Sequence, residues 1–180
     1  MAPDSGSGHG ALGDPATGGV PPLETTGARV VPPLPQDVFV IARNMRLADI
    51  LELEACGLTP LRALERSVKA SEKAFTVLFD GVAVAMFGVR PIEDDTVLGR
   101  VARGEVWFLT GEGFERRPLS ALKLARRVIR QLLERYDVLL NFIDGRYTQA
   151  LRFAAALGAT FHSPVMIGGQ PFVPFTIRRP

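Results

Sequence analysis

Apolar residues follow two rhythms along this chain. Short β-prone runs alternate with stretches in which apolar positions recur every three to four residues. Residues 38–42 read as a short strand. Residues 44–49 lead into a helix that ends at Cys56, where Gly57 stops it. Thr59 and Pro60 suit the N-cap and first turn of a second helix, which reaches Ser71 with Leu61, Leu64 and Val68 on one face. Residues 74–79 and 82–89 are strands joined by Asp80-Gly81, a pair that favours the tight type I′ turn. Gly88 marks a bulge or a close backbone approach. The polar stretch 90–104 is predicted as a loop. Its acids Glu93, Asp94 and Asp95 are expected to be solvated, with no histidine or further acid at ligand spacing to hold a metal.

Residues 105–157 then repeat strand, turn and helix. The strand 105–110 is followed by a Gly-rich, basic turn, and Pro118 opens a long helix to Tyr136. A second strand spans 138–143, and another helix runs from Tyr147 to Leu157. A strand, a helix and a parallel strand make a crossover unit, and ligands in such folds bind beyond the carboxyl end of the first strand. That places a candidate site at residues 110–120. The long helix carries an apolar stripe of Leu122, Ala125, Ile129, Leu132, Leu133 and Tyr136, with Lys123, Arg126, Arg127 and Arg130 on another face. Residues 160–167 form a strand broken by Pro164. Gly168-Gly169 turns the chain, and residues 170–177 return as a strand that Pro171 and Pro174 mark as an edge or bulged one.

Composition separates the first 36 residues from the rest. Seven are Gly and seven Pro, and three acids with one arginine give this segment a net charge of −2. Such a segment cannot bury enough apolar surface to fold alone, so residues 1–36 are expected to be an extended arm and 37–180 the globular domain. Within the arm, Val30, Val31, Pro32, Pro33 and Leu34 suit an extended stretch lying on a partner. The single cysteine, Cys56, excludes an internal disulfide and a Cys-based zinc site, and fits a reducing compartment. His9 and His162 form no catalytic constellation with Cys56 or Ser120. The net charge of +2, with no aromatics among the helix cations, points away from nucleic acid and leaves a solvated face or an acidic partner for that helix. No apolar run approaches the roughly 18 residues that span a bilayer.

The element order resembles the GNAT acetyltransferases over roughly residues 38–177, and it resembles most narrowly the GNAT-like proteins of short-tailed bacteriophages. The stretch 147–158, Tyr-Thr-Gln-Ala-Leu-Arg-Phe-Ala-Ala-Ala-Leu-Gly, is similar to that family's last-helix motif. Residues 42–46 with Asp49, 84–89, 106–110, Asn141 with Asp144, and Phe172 with Phe175 carry the narrower likeness. The resemblance implies an α+β fold, a mixed sheet flanked by helices with the arm appended. It also implies that Thr110, Gly111, Gly113, Arg116, Arg117 and Ser120 would hold acetyl-CoA if the cofactor binds. Glu105 is then the candidate general base and Tyr147 the candidate acid, because the position of the family's usual tyrosine is Ala154. Pro118, Glu112 and Glu115 depart from a phosphate-binding turn.

Two functions follow. One is a non-enzymatic phage structural or assembly protein without a cofactor. It docks to other virion proteins, in multiple copies, through the arm and the basic helix, and resides in the virion and, during assembly, the host cytoplasm. The other is an acetyl-CoA-dependent N-acetyltransferase with an atypical site.

Overall fold

The computed structural model describes residues 24–25, 27–92 and 101–179. The acids at 93–95, His9 and most of the arm lie outside them. The elements are β1 (Glu24–Thr25), β2 (Ala28–Val31), α1 (Pro35–Arg43), α2 (Leu47–Ala55), α3 (Pro60–Ala70), β3 (Lys73–Phe79), β4 (Val82–Ile92) and β5 (Arg103–Thr110). A 3-10 turn (Glu112–Arg116), α4 (Pro118–Arg135), β6 (Val138–Asp144), α5 (Thr148–Ala156), β7 (Thr160–Phe161), β8 (Val165–Ile167) and β9 (Gln170–Arg178) follow. The strands form one sheet in the order β1-β2-β3-β4-β5-β6-β9-β7, with β8 also on β9. Among the described residues only the β5–β6 pair is parallel, and the fold is α+β.

The main core lies between the sheet and α4, with Phe75, Val77, Phe87, Leu124, Val128, Leu132 and Leu139 among its residues. A second cluster of Val38, Ile41, Met45, Leu64 and Met86 packs α1 and α3 on the sheet. The long-helix stripe is split. Leu132, Leu133 and Tyr136 are buried together with Ala121, Leu124 and Val128, while Leu122, Ala125 and Ile129 are half-buried on a second apolar face.

Residues 38–42 are helical, not a strand. Pro35 occupies the first turn, where its missing N–H is no loss, and the Asp37 carboxylate accepts the Leu34 N–H at 2.9 Å. The same oxygen accepts the Thr76 hydroxyl at 2.9 Å, which pins α1 to β3. Val38, Ile41 and Met45 then share the buried face, while Phe39 and Val40 are exposed.

The hairpin turn forms as expected, with Asp80 at φ 49° and Gly81 at φ 82°. Gly88 marks a close approach. A Cβ there would lie 2.6 Å from Trp107 Nε1 and 2.7 Å from the Lys73 carbonyl oxygen. The register shift of this hairpin falls elsewhere: Val77 pairs with Ala85 and Leu78 with Ala83, which leaves Val84 as the extra residue. β9 is an interior strand, contrary to the edge or bulge expected from its prolines. Pro171 accepts the Gly145 N–H just past the end of β6, and Pro174 accepts the His162 N–H in the gap between β7 and β8. Their missing donors therefore fall where no partner strand runs.

The arm expectation changes at its end. Ala28–Val31 pair with β3 as part of the sheet, and Ala28 and Val30 are 0% and 3% exposed. Val30 therefore packs in the chain's own core rather than against a neighbour.

Candidate functional site

β5 and β6 are paired only from Arg103–Val138 to Glu105–Leu140. Beyond that point they diverge. The Asn141 side chain donates its amide to the Val106 carbonyl, standing in for the main-chain bond that a neighbouring strand would supply. The V-shaped opening faces α4 and α5 and holds a cavity of about 670 Å³. Its wall is mostly apolar. Phe108, Phe114 and Phe153 form an aromatic cluster there, the Phe108–Phe114 pair edge-to-face with centroids 4.9 Å apart. Leu119, Leu122 and Phe142 complete the lining toward solvent. The second apolar face of α4 therefore serves this cleft.

The polar end of the cleft is built by α2. Asp49 accepts the Thr110 N–H at 2.9 Å and the Thr110 hydroxyl at 2.6 Å on one oxygen, and Arg46 Nη2 at 2.7 Å on the other. Arg46 also donates to Glu115 at 2.9 Å. Its backbone N–H donates to the Thr110 carbonyl, and Met45 bridges to Gly111. The segment before α2 therefore closes the open edge at the end of β5. Asp144, fully buried, is gripped by the Arg146 guanidinium, whose hydrogen bonds hold its carboxyl below the usual range.

Glu52 lies between these two satisfied carboxylates. Among the described residues, the one hydrogen bond it accepts is a long one, from the Asp144 N–H at 3.3 Å. Burial, reinforced by the charges of Asp49 and Asp144, pushes its carboxyl up to about 7. Among the described residues, no group of His, Cys, Asp or Glu is arranged to hold a metal ion.

The sequence-derived candidates are scattered. Thr110 lines the cleft with its hydrogen-bonding groups taken by Asp49 and Arg46. The Gly111 N–H is donated to the Val84 carbonyl at 2.8 Å, that of Glu112 to Asn44 at 2.9 Å, and that of Phe114 to Gly111 at 3.0 Å. The Val84 side chain lies against Gly113. Arg117 is drawn to the β3–β4 turn, paired with Asp80 and stacked 5.7 Å from the Phe79 ring centre. Arg116 is exposed on the turn and Ser120 is half-buried in the first turn of α4; neither lines the cleft.

Glu105 is at the closed end of the V, paired with Arg90. Strand alternation alone could not distinguish that end from the open one. Tyr147 is the N-cap of α5, outside the cleft lining, and its hydroxyl is shifted up by burial and by the charge of Asp144. Ala154 is buried in the cleft wall. On α4, Lys123, Arg126, Arg127 and Arg130 are exposed, but Arg126 donates to the Ala156 carbonyl at 3.2 Å and so caps the end of α5. Of the arm residues, Val31 and Pro33 are half-buried and Pro32 and Leu34 exposed. The acids that shape the cleft, Asp49, Glu52 and Asp144, were missed as a group, since nothing in their spacing joins a helix to a strand about 90 residues later.

Solved structures share this architecture. An acetyltransferase of the GNAT family from Bacillus anthracis matches with a TM-score of 0.64 at 9% identity, covering 87% of this chain and 98% of that one. A GCN5-related N-acetyltransferase from Brucella melitensis gives 0.62 at 16%, over 87% and 78%. The fold is the GNAT fold. An aminoglycoside acetyltransferase solved with coenzyme A also shares it, with a TM-score of 0.61 at 14% identity over 84% of this chain and 95% of that one. At these identities the likeness is one of fold alone. A scan against protein-family models finds no match. In sequence, the chain is 28% identical over 147 residues to the "Probable scaffold protein gp13" of Escherichia phage T7, covering 79% of this chain and 90% of that protein.

Proposed function

We propose that this chain is an assembly protein of a tailed bacteriophage that uses a GNAT fold as a docking module for other particle proteins. The turn after β5 carries the reading. A pyrophosphate at a helix start is held by backbone N–H groups that point at it. Here the N–H groups of Gly111 and Glu112 are spent on the chain's own carbonyls, Pro118 has none, and Glu112 and Glu115 add negative charge. These residues do not fit acetyl-CoA. The sequence likeness along most of a phage scaffold protein supports an assembly role, and therefore a place in the virion or in its precursors within the host cytoplasm. Lys123 and Arg130 on α4, with Pro32 and Leu34 ahead of α1, are the exposed groups assigned to docking. The partners are other virion proteins in multiple copies. With a net charge of only +2, nucleic acid is not among them.

A second reading, an acetyl-CoA-dependent N-acetyltransferase with an atypical site, is favoured by one observation. The opening between β5 and β6 contains Glu52, a carboxylate with a proton affinity near neutrality. Under that reading Glu52 replaces Glu105 as the candidate base.

Sedimentation of particles and precursors, made in cells that express the encoding phage genome, tests the assembly role. The tagged chain is expected to co-sediment with precursors, mature particles or both. A chain found at every stage only among free soluble proteins would overturn the role.

A further inference from the structure

The β5–β6 cleft has an apolar wall and, at its α2 end, Glu52, a carboxylate in no ion pair among the described residues although the Arg46 charge acts on it. The Arg46 guanidinium is engaged with Asp49 and Glu115, and that of Arg146 with Asp144. Glu52 lines the cleft between those two acids. Phe108 and Phe142 also line the cleft while 37% and 40% exposed, and Leu119 at its mouth is 74% exposed. Large apolar side chains gathered at an opening of this kind mark a surface made to be covered.

We infer that this cleft is a docking groove for a partner-protein segment that inserts an arginine flanked by apolar residues, its guanidinium against Glu52 and its stem along Phe108 and Phe142. The inference rests on the assembly reading and names the chemistry of the partner. Three features select arginine. A half-buried carboxylate amid other acids calls for a cation. A guanidinium is more weakly hydrated than an ammonium and matches a carboxylate with two parallel N–H donors. Its flat face also stacks on aromatic rings, and arginine is enriched at the buried centres of interfaces where lysine is depleted. The Asp144 N–H holds one Glu52 oxygen at 3.3 Å, which leaves the carboxylate with spare acceptor capacity for such a donor.

The test uses the full chain, its amide resonances followed during titration with n-butylguanidinium, n-butylammonium and 1-butanol at equal ionic strength and pH 8. Butylguanidinium is expected to shift the amides of Phe108, Leu119, Phe142 and Phe153, and to bind about tenfold tighter than 1-butanol, a difference of the size that separates a paired from an unpaired head group. Butylammonium should fall between the two. Glu52→Gln should reduce the guanidinium preference to less than about threefold and leave the weak binding of 1-butanol unchanged. Equal binding of butylguanidinium and 1-butanol, a preference that survives Glu52→Gln, or shifts confined to residues outside the cleft would each overturn the inference. Butylammonium binding as tightly as butylguanidinium would overturn the choice of arginine and is the outcome an amine-acetylating site would give. Because no acetyl-CoA is present, failure here leaves the assembly reading intact, whereas acetyl-CoA binding would remove that reading without altering the measured preference.

Discussion

Glu52 is a side chain whose proton affinity departs far from that of a free one. Its carboxyl titrates near 7 in the folded chain against an ordinary value of 4.5, so between those values the folded state holds a proton that the unfolded state has lost. Stability therefore falls as pH rises from about 4.5 to about 7 and levels off above, because ionised Glu52 sits in a desolvated acidic setting. Asp144 acts in the opposite sense in a lower window: its folded carboxyl is depressed by Arg146, so its contribution is present above the ordinary carboxylate range and lost on acidification below it. Glu52→Gln keeps an acceptor for the Asp144 N–H and removes the charge. It should raise stability at pH 8 by about 1–3 kcal/mol and flatten the profile between pH 5 and 7, as read from urea midpoints. An unchanged profile would show that Glu52 is already solvated and freely ionised.

The elements show where sequence and physics agree. The hairpin was legible because Asp80-Gly81 can adopt positive φ at both positions. The β5–α4–β6 crossover was legible because its helix is long enough for a 3.6-residue period to stand out. α1 was not, because apolar residues fill every position from 38 to 42 and erase the period. The informative signal was the pair Pro35 and Asp37, a helix start rather than a strand. Asp37→Ala should therefore cost about 2 kcal/mol, through the lost cap and the stranded Thr76 hydroxyl, with Asp37→Asn costing less. Chemical denaturation checks both, and an effect below about 0.5 kcal/mol for the alanine variant would remove the cap from the account. β9 was misjudged for a related reason: a proline is tolerated inside a sheet if its missing N–H faces a gap, and such gaps exist only once β7, β8 and the end of β6 are in place.

At the scale of the whole molecule, the fold was legible from the order of elements, whereas the site was not. The crossover topology pointed to a candidate site in the turn after β5, beyond the carboxyl end of the strand. The folded chain turns the N–H groups of Gly111, Glu112 and Phe114 inward, bridges Gly111 to Met45 and joins Thr110 to Asp49, beside an apolar cleft with an acidic end. Asp49, Glu52 and Asp144 meet only because α2 crosses the diverging ends of β5 and β6, a relation that no local pattern encodes. The central claim is that this GNAT fold has exchanged its cofactor site for a docking surface, and calorimetric titration of the full chain with acetyl-CoA tests it most directly. The account predicts no binding heat up to millimolar cofactor. Micromolar binding that is abolished by Arg116→Glu would contradict it, because it would show that the turn still holds a pyrophosphate.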